Sequence, residues 1–430
     1  MVQSKYTCLL FFLVEVLIYK VDFLIQYTLP LITVFLIASL YSIVPKIHVT
    51  TIPSLIIFGT GVFGYLTANS KNSSLGTSIG LILPGELHKS TLAIFCLTAS
   101  SLALGNHLMI NDTYRSLFGS FKITSSQNKF IGAFCLIPVF LMLIGFKTDE
   151  FFYRENHLLN TNFPFLARLG SALSIVAVPV VAYWSNNQNR KFRYFAYGEI
   201  LVYTILFIST SSRSLVVIPI SILIILLPKI RKIGKFVCLF CFPIVVYFSL
   251  AIPLFLRSLG AKGLFPYLSA LNSYRFSSVS FLEILQNFTV SFDLNGLTAF
   301  AQTKFPIGDL LVELSPLPGD QAGWYEISSN HRFNLATPSP AIGEAANYGL
   351  VTLLFTFVGV GLMFSLLFRA ALSFSKTFTD VILSFLIVSA SYFSILCLQY
   401  NLRSAMRIVY YSIALVAVSL LIEKSRKNRA

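Results

Sequence analysis

Charge is what this sequence has least of. Only 11% of its 430 residues are Asp, Glu, Lys or Arg, where soluble domains carry about 25%, and that shortage excludes an ordinary water-soluble fold. Cysteine is sparse and oddly placed: Cys8, Cys96, Cys135, Cys238, Cys241 and Cys397 all fall in or beside apolar runs, so no structural disulfide is expected. Cys238 and Cys241 have the spacing of half a zinc or redox site, but they lack a second pair or a His partner. Two small packing residues are the better reading. No cluster has metal-ligand spacing, and neither metal nor cofactor is expected. No inverted or parallel repeat is present, unlike transporters built from paired halves. The first apolar run, Tyr6 to Tyr19, leads almost directly into another without a small-residue cleavage site, so a cleavable signal peptide is not expected.

What fills the sequence is apolar. Hydrophobic residues make up 56% and aromatics 15%, led by 41 Phe. Runs of about 20 such residues are long enough to cross roughly 30 Å of hydrocarbon as helices, which alone satisfy their own backbone groups there. Spans are expected near residues 6–21, 23–44, 51–68, 91–110, 130–147, 164–184, 193–209, 213–227, 236–256, 346–368, 379–399 and 405–422. The fold class is therefore all-α: a polytopic integral membrane protein of about 11 to 12 transmembrane helices.

The basic residues set the topology. Arg190, Lys191 and Arg193 precede one span, Lys229, Arg231, Lys232 and Lys235 another, and Lys424, Arg426, Lys427 and Arg429 follow the last. Such clusters belong in the cytoplasm, and threading the spans from them leaves about 18 Lys and Arg inside against about 4 acidic residues, with near balance outside. Both termini are then cytoplasmic. The net charge of +15 is accounted for by topology, and no nucleic-acid partner is expected.

The connection from Arg257 to Ala345 falls on the outer face and is far longer than the usual helix connection of about 2 to 8 residues, which points to function. Phe276, Val279, Leu282, Leu285 and Gln286 have amphipathic helical spacing, and Ile307, Leu310, Leu311 and Leu314 give a second short helix before Pro316 and Pro318. Trp324 and Tyr325 are expected at the membrane surface.

Cations at outer helix ends run against the inside bias and raise the question of which anion they face. Arg213 follows Thr210-Ser211-Ser212 in a short outer turn. Arg403 and Arg407 open the last span four residues apart, on one helical face. Arg257, Arg275 and Arg332 mark the start, middle and end of the long loop. Arginine suits a phosphorylated ligand because its planar fork stays charged and donates paired hydrogen bonds; snorkelling to lipid headgroups or pairing with a carboxylate such as Glu150 is the alternative. Just before the tenth span, His331 is a candidate general base near neutral pH, and Glu344 is another if burial raises its pKa. Glu344 reads equally well as an acidic residue in a helix's first turn. Gly59-Thr60-Gly61-Val62-Phe63-Gly64 matches a dinucleotide fingerprint only by spacing, and close helix packing explains it better. Glu199, inside a span, is expected to pair with Arg193 or Lys191.

Three segments, with the helical layout, carry a resemblance: Thr210-Ser211-Ser212-Arg213, Leu310-Leu311-Val312-Glu313-Leu314-Ser315-Pro316-Leu317-Pro318-Gly319, and Gly343-Glu344 through Gly349. They resemble the Wzy-type polymerases of O-antigen and capsule repeat units and, more loosely, the O-antigen ligases. The ligases carry His-Asn-x-x-Leu in the large loop; here His331 and Leu335 fit, but Arg332 stands in place of Asn. The resemblance implies one membrane domain over residues 1–430 in the bacterial inner membrane, with glycosyltransferase architecture of the lipid-sugar-using (GT-C-like) type and a large periplasmic loop at 257–345. It further implies an undecaprenyl-diphosphate-linked oligosaccharide as substrate, membrane lipids and a chain-length regulator protein as partners, and no nucleotide sugar. In that scheme Arg213, Arg403 and Arg407, with Arg332, Arg275 and Arg257, hold the diphosphate, and His331 or Glu344 takes the acceptor proton. A ligase or a polysaccharide flippase is the rival class.

Overall fold

The computed structural model describes residues 48–69, 83–108, 131–156, 159–185, 189–226, 259–273, 281–333, 338–374 and 376–427, with isolated positions between 12 and 34 and between 249 and 256. In chain order the helices are α1 (His48–Asn69), α2 (His88–Leu108), α3 (Ile131–Gly145), α4 (Asp149–Phe152), α5 (Pro164–Trp184), α6 (Arg190–Ser209) and α7 (Val217–Leu226). They continue as α8 (Leu264–Ser273), α9 (Phe281–Ala299), α10 (Ile307–Glu313), α11 (Trp324–Ile327), α12 (Ala341–Asn347), α13 (Leu350–Ala371), α14 (Lys376–Gln399) and α15 (Leu402–Lys427). Among the described residues there is no strand, only isolated backbone bridges such as Arg154 with Lys262 and Arg332 with Pro338.

The protein is helical, as the apolar runs require. Among the described residues five helices are long and apolar enough to cross a membrane: Gly85–Gly105, Pro164–Trp184, Arg190–Ser209, Leu350–Ala371 and Leu402–Ile422. Shorter apolar helices cover Pro53–Ala68, Cys135–Gly145 and Phe385–Gln399. The expected spans near 6–21, 23–44 and 236–256 lie largely outside the described residues, as do Cys238 and Cys241. The span expected from 346 starts later. Gly349, at φ 124°, separates the short α12 from α13, a backbone conformation that side chains beyond hydrogen rarely adopt.

The chain divides into two compact units, one of residues 1–121, 281–374 and 389–430, the other of 122–280 and 375–388. In the first unit small residues set the helix spacing. A Cβ on Gly61 or Gly64 would collide with Phe95 or Phe292, and one on Gly105 with the Val358 carbonyl. Gly61 and Gly64 thus form a packing surface for α2 and α9, while Gly59 faces open space. Phe292 stacks on Phe95, and Phe393 meets Phe357 and Phe364 edge-on.

The long loop is more ordered than its sequence spacing implies. Helix α9 runs on to Ala299, past the apolar pattern that predicts it, and buries Ser291, Asp293, Asn295 and Thr298. Of the residues that suggested it, Phe276 and Val279 lie outside the described residues. Helix α10 falls where Ile307 to Leu314 predicts it. Trp324 corrects its expectation: it is buried against protein, while Tyr325 is exposed.

In the second unit α5 packs against α3, α6 and α7, and Gly145 and Gly170 bring α3 and α5 to backbone contact. Glu199 also corrects its expectation. Its carboxylate is buried and, among the described residues, has neither an ion-pair nor a hydrogen-bond partner, because the residue sits a turn and a half inside α6 from Arg193.

Candidate functional site

The site is assembled on α12, which hydrogen bonds at Ala341, Gly343 and Asn347 fix in place. The Asn295 side chain accepts the Gly343 N–H at 2.8 Å and donates to the Leu398 carbonyl at 3.3 Å. Asn347 donates to the Thr298 carbonyl and accepts the Phe305 N–H, both at 2.8 Å. Ala341 donates its N–H to the Tyr400 carbonyl at 2.8 Å. Gly343 has to be glycine here, since a Cβ would lie 2.6 Å from the Asn295 carbonyl oxygen. Each buried amide thereby has its partners, which fixes register better than apolar packing alone.

Glu344 follows directly. It projects from the first turn of α12 and is wholly buried. Its Oε2 accepts the Leu402 N–H at 2.6 Å, at the first residue of α15, and its Oε1 lies 3.3 Å from His331 Nδ1. The same Nδ1 is 2.8 Å from Glu313 Oε1, and His331 Nε2 is 3.2 Å from Asp309 Oδ2. Asp309 and Glu313 sit four residues apart on α10, so one helix face delivers both to the imidazole. Phe305 stacks over His331 at 4.2 Å between ring centroids, Trp324 lies at 5.7 Å and Tyr348 at 6.5 Å.

The electrostatics follow from that geometry. Both ring nitrogens face carboxylate oxygens, an arrangement that favours the doubly protonated imidazolium. Burial by itself would lower the His331 pKa, but Glu313 and Glu344 outweigh it and hold it up to about 10. Burial raises Glu344 to about 8, with the Glu313 charge adding to the rise and His331 opposing it. Glu313 is likewise raised, chiefly by burial. Three carboxylates around one imidazole crowd negative charge into a dry site, and the upward shifts of Glu313 and Glu344 are the response to it. Burial and the same carboxylates push the Tyr348 phenol up, so it stays neutral. Only Asp309 of the three acids reaches the surface, its side chain 13% exposed. Glu313, His331 and Glu344 also bring three potential ligand atoms within 4.8 Å of one another, which could hold a cation only with the imidazole deprotonated.

The arginines divide. Arg403 is buried, and its guanidinium donates to the carbonyls of Val312, Ser315 and Leu317, the Ser315 bond being 3.2 Å, while lying over the Trp324 ring. Tyr410 donates to the next free carbonyl, that of Leu314. The structure thus gives Arg403 the carbonyls at the end of α10 as partners, which positions Asp309 and Glu313. Arg407, one turn on, is exposed. Arg332 is also exposed, beside His331 and on a backbone bridge to Pro338. Arg213 opens a 3-10 turn in the other unit, where Ser211 has φ 46° and the Ser212 hydroxyl accepts the Ser214 N–H. Arg257 and Arg275 lie outside the described residues.

Of the residues read from the sequence, the fold brings His331 and Glu344 together and adds Asp309, Glu313, Phe305, Trp324 and Tyr348. Asp309 and Glu313 are legible only as a four-residue acidic spacing on a predicted helix. No protein-family model, curated protein or solved structure matches this chain.

Proposed function

We propose that this chain is a membrane glycosyltransferase that joins lipid-linked oligosaccharide repeat units outside the cytoplasm, the donor being a growing glycan on undecaprenyl diphosphate. The observation that carries this reading is the imidazole of His331 held among Asp309, Glu313 and Glu344 on segments that lie between membrane-length helices in the chain. A cluster of one imidazole and three carboxylates suits a reaction in which a sugar hydroxyl must lose a proton while a good leaving group departs.

The acceptor O–H breaks as its oxygen forms a bond to the anomeric carbon, and the bond from that carbon to the diphosphate oxygen breaks with its electron pair. Asp309 is the base in this scheme because it alone of the three acids reaches the surface. His331 donates to Asp309 and orients it. Glu313 and Glu344 hold His331 charged, and Glu344 ties the cluster to α15. Arg332, exposed beside His331, faces the departing phosphates. A ligase would use the same donor, but Arg332 stands where the ligases have Asn, which favours polymerisation.

The test uses purified protein with a lipid-linked repeat unit and, in parallel, a lipid A core acceptor. Asp309→Asn and His331→Gln are each expected to slow elongation about a hundredfold or more, the range of general acid–base effects. Undiminished elongation in Asp309→Asn would remove the base from the scheme, and transfer to core alone would make the protein a ligase.

A further inference from the structure

The second unit contains a buried cation that, among the described residues, makes no ion pair. Arg154, 4% exposed, follows α4 and donates Nη1 to the carbonyls of Glu150 at 3.1 Å and Ser209 at 2.9 Å. Among the described residues its Nε and Nη2 are buried without a hydrogen-bond partner. Glu150 attracts Arg154 only from a distance: its carboxylate is exposed, is bound by the Asn160 N–H at 2.8 Å and side-chain amide at 2.7 Å, and makes no close ion pair with the guanidinium. Lys262, also buried, exchanges both backbone hydrogen bonds with Arg154 at 2.9 Å, and its ammonium donates to the Leu259 carbonyl. The Tyr267 ring lies 6.0 Å from the guanidinium carbon; the residue is wholly buried and its hydroxyl has no partner. Buried donors of this kind are costly unless an acceptor reaches them.

The surroundings say what that acceptor is attached to. Phe152 and Phe265 stack at 5.5 Å and are exposed, as are Tyr153 and Leu268, so an apolar rim borders the buried cation. Gly263, at φ 107° and too close to the Phe152 carbonyl for any Cβ, seats α8 against α4 and holds Tyr267 in place. On the other side, the Ser209 hydroxyl donates to the Phe151 carbonyl at 2.5 Å and anchors the turn that leads to Arg213. A guanidinium with two free donors, a phenol and an apolar border match a phosphate carried on a lipid.

We propose that Arg154 and Tyr267 form an anion site in the second unit that binds a lipid phosphate or diphosphate, Arg154 through Nε and Nη2 and Tyr267 through its hydroxyl. In the glycosyltransferase reading this site holds the polyprenyl diphosphate, yet its geometry stands without that reading.

The experiment is calorimetric titration of the full-length protein in neutral detergent with inorganic pyrophosphate, farnesyl diphosphate and phosphatidic acid. Farnesyl diphosphate is expected to bind at least about tenfold tighter than pyrophosphate; Arg154→Gln should weaken it about tenfold or more, and Arg154→Lys nearly as much, because only arginine offers the paired fork. Tyr267→Phe, which keeps the ring and loses only the hydroxyl, should weaken it severalfold and decides the matter if Arg154→Gln does not fold. Phosphatidic acid binding as tightly as farnesyl diphosphate would make an ordinary lipid headgroup the source of the phosphate. Pyrophosphate binding equally well would overturn the lipid assignment, and affinity unchanged in folded Arg154→Gln or in Tyr267→Phe would overturn the site. Arg154-dependent binding alongside failed chain elongation would sink the polymerase reading and leave this one standing.

Discussion

Glu344 Oε2 accepts the backbone N–H of Leu402 at 2.6 Å, while its other oxygen faces His331. One carboxylate thereby caps a 26-residue helix and helps to charge the imidazole beside it. The two jobs separate by mutation. Glu344→Gln keeps an oxygen for Leu402 but removes the charge, so the fold persists and the His331 pKa drops from about 10 toward its ordinary value. Glu344→Ala orphans the N–H and is expected to cost about 1–3 kcal/mol of stability. Melting curves of the two variants check the ordering; equal melting temperatures would contradict it.

The pH dependence of stability follows from the same cluster. His331 has a folded pKa raised from 6.5 to about 10, so its stabilising contribution is whole below about 6.5 and is lost as pH rises toward about 10. Glu344 is raised from 4.5 to about 8 by burial, and its neutral form is the one the fold prefers, so its contribution also declines as pH rises from about 4.5 to about 8. The two effects have the same sign and titrate together as one coupled cluster. The melting temperature should fall steadily above about pH 6.5, and His331→Gln should flatten the part of the curve between about 8 and 10. A wild-type melting temperature that is constant or rises over that range would refute the charged imidazole.

Arg403→Ala should destabilise the protein in the absence of any ligand. The guanidinium holds three carbonyls at the end of α10, and hydrogen bonds to charged groups contribute about 1.5–3 kcal/mol each before the loss of packing against Trp324. Arg403→Lys recovers only part of this, since a single ammonium cannot span the same carbonyls. Thermal unfolding without substrate is the measurement, and a wild-type melting temperature in Arg403→Ala would return Arg403 to the list of ligand-binding residues.

Gly343→Ala is a small change with a large expected effect. The added methyl meets the backbone oxygen of Asn295 and the side chain of Thr298, and neither can rotate away. Overpacking of this kind costs about 1–3 kcal/mol, and because α12 carries Glu344, the displacement should also lower turnover. Gly359→Ala, which meets nothing, is the matched control and should melt like the wild type.

The site was partly legible in advance. His331 and Glu344 stand near one another in a segment rich in proline and small residues, and a titratable pair before a membrane helix is visible as such. Asp309 and Glu313 are 22 and 18 residues upstream of His331, and nothing in local spacing links an acidic pair on one short helix to an imidazole beyond a turn and another short helix. Arg403 was legible as a cation at a helix end but not in its partners, because carbonyls have no signature in a sequence. The length of α9 was hidden for a related reason: Ser291, Asp293 and Asn295 read as polar loop, and their burial depends on neighbours more than a hundred residues away.

Sequence alone determined that this protein is built of apolar helices, since the length and hydrophobicity of a run decide whether its backbone can stay away from water. Only the tertiary structure decided which acids surround His331, which arginine clamps a helix end and which is left with two buried, unpartnered donors. Those are properties of groups distant in the chain, fixed when packing removes water and each buried polar atom must find a partner or go without.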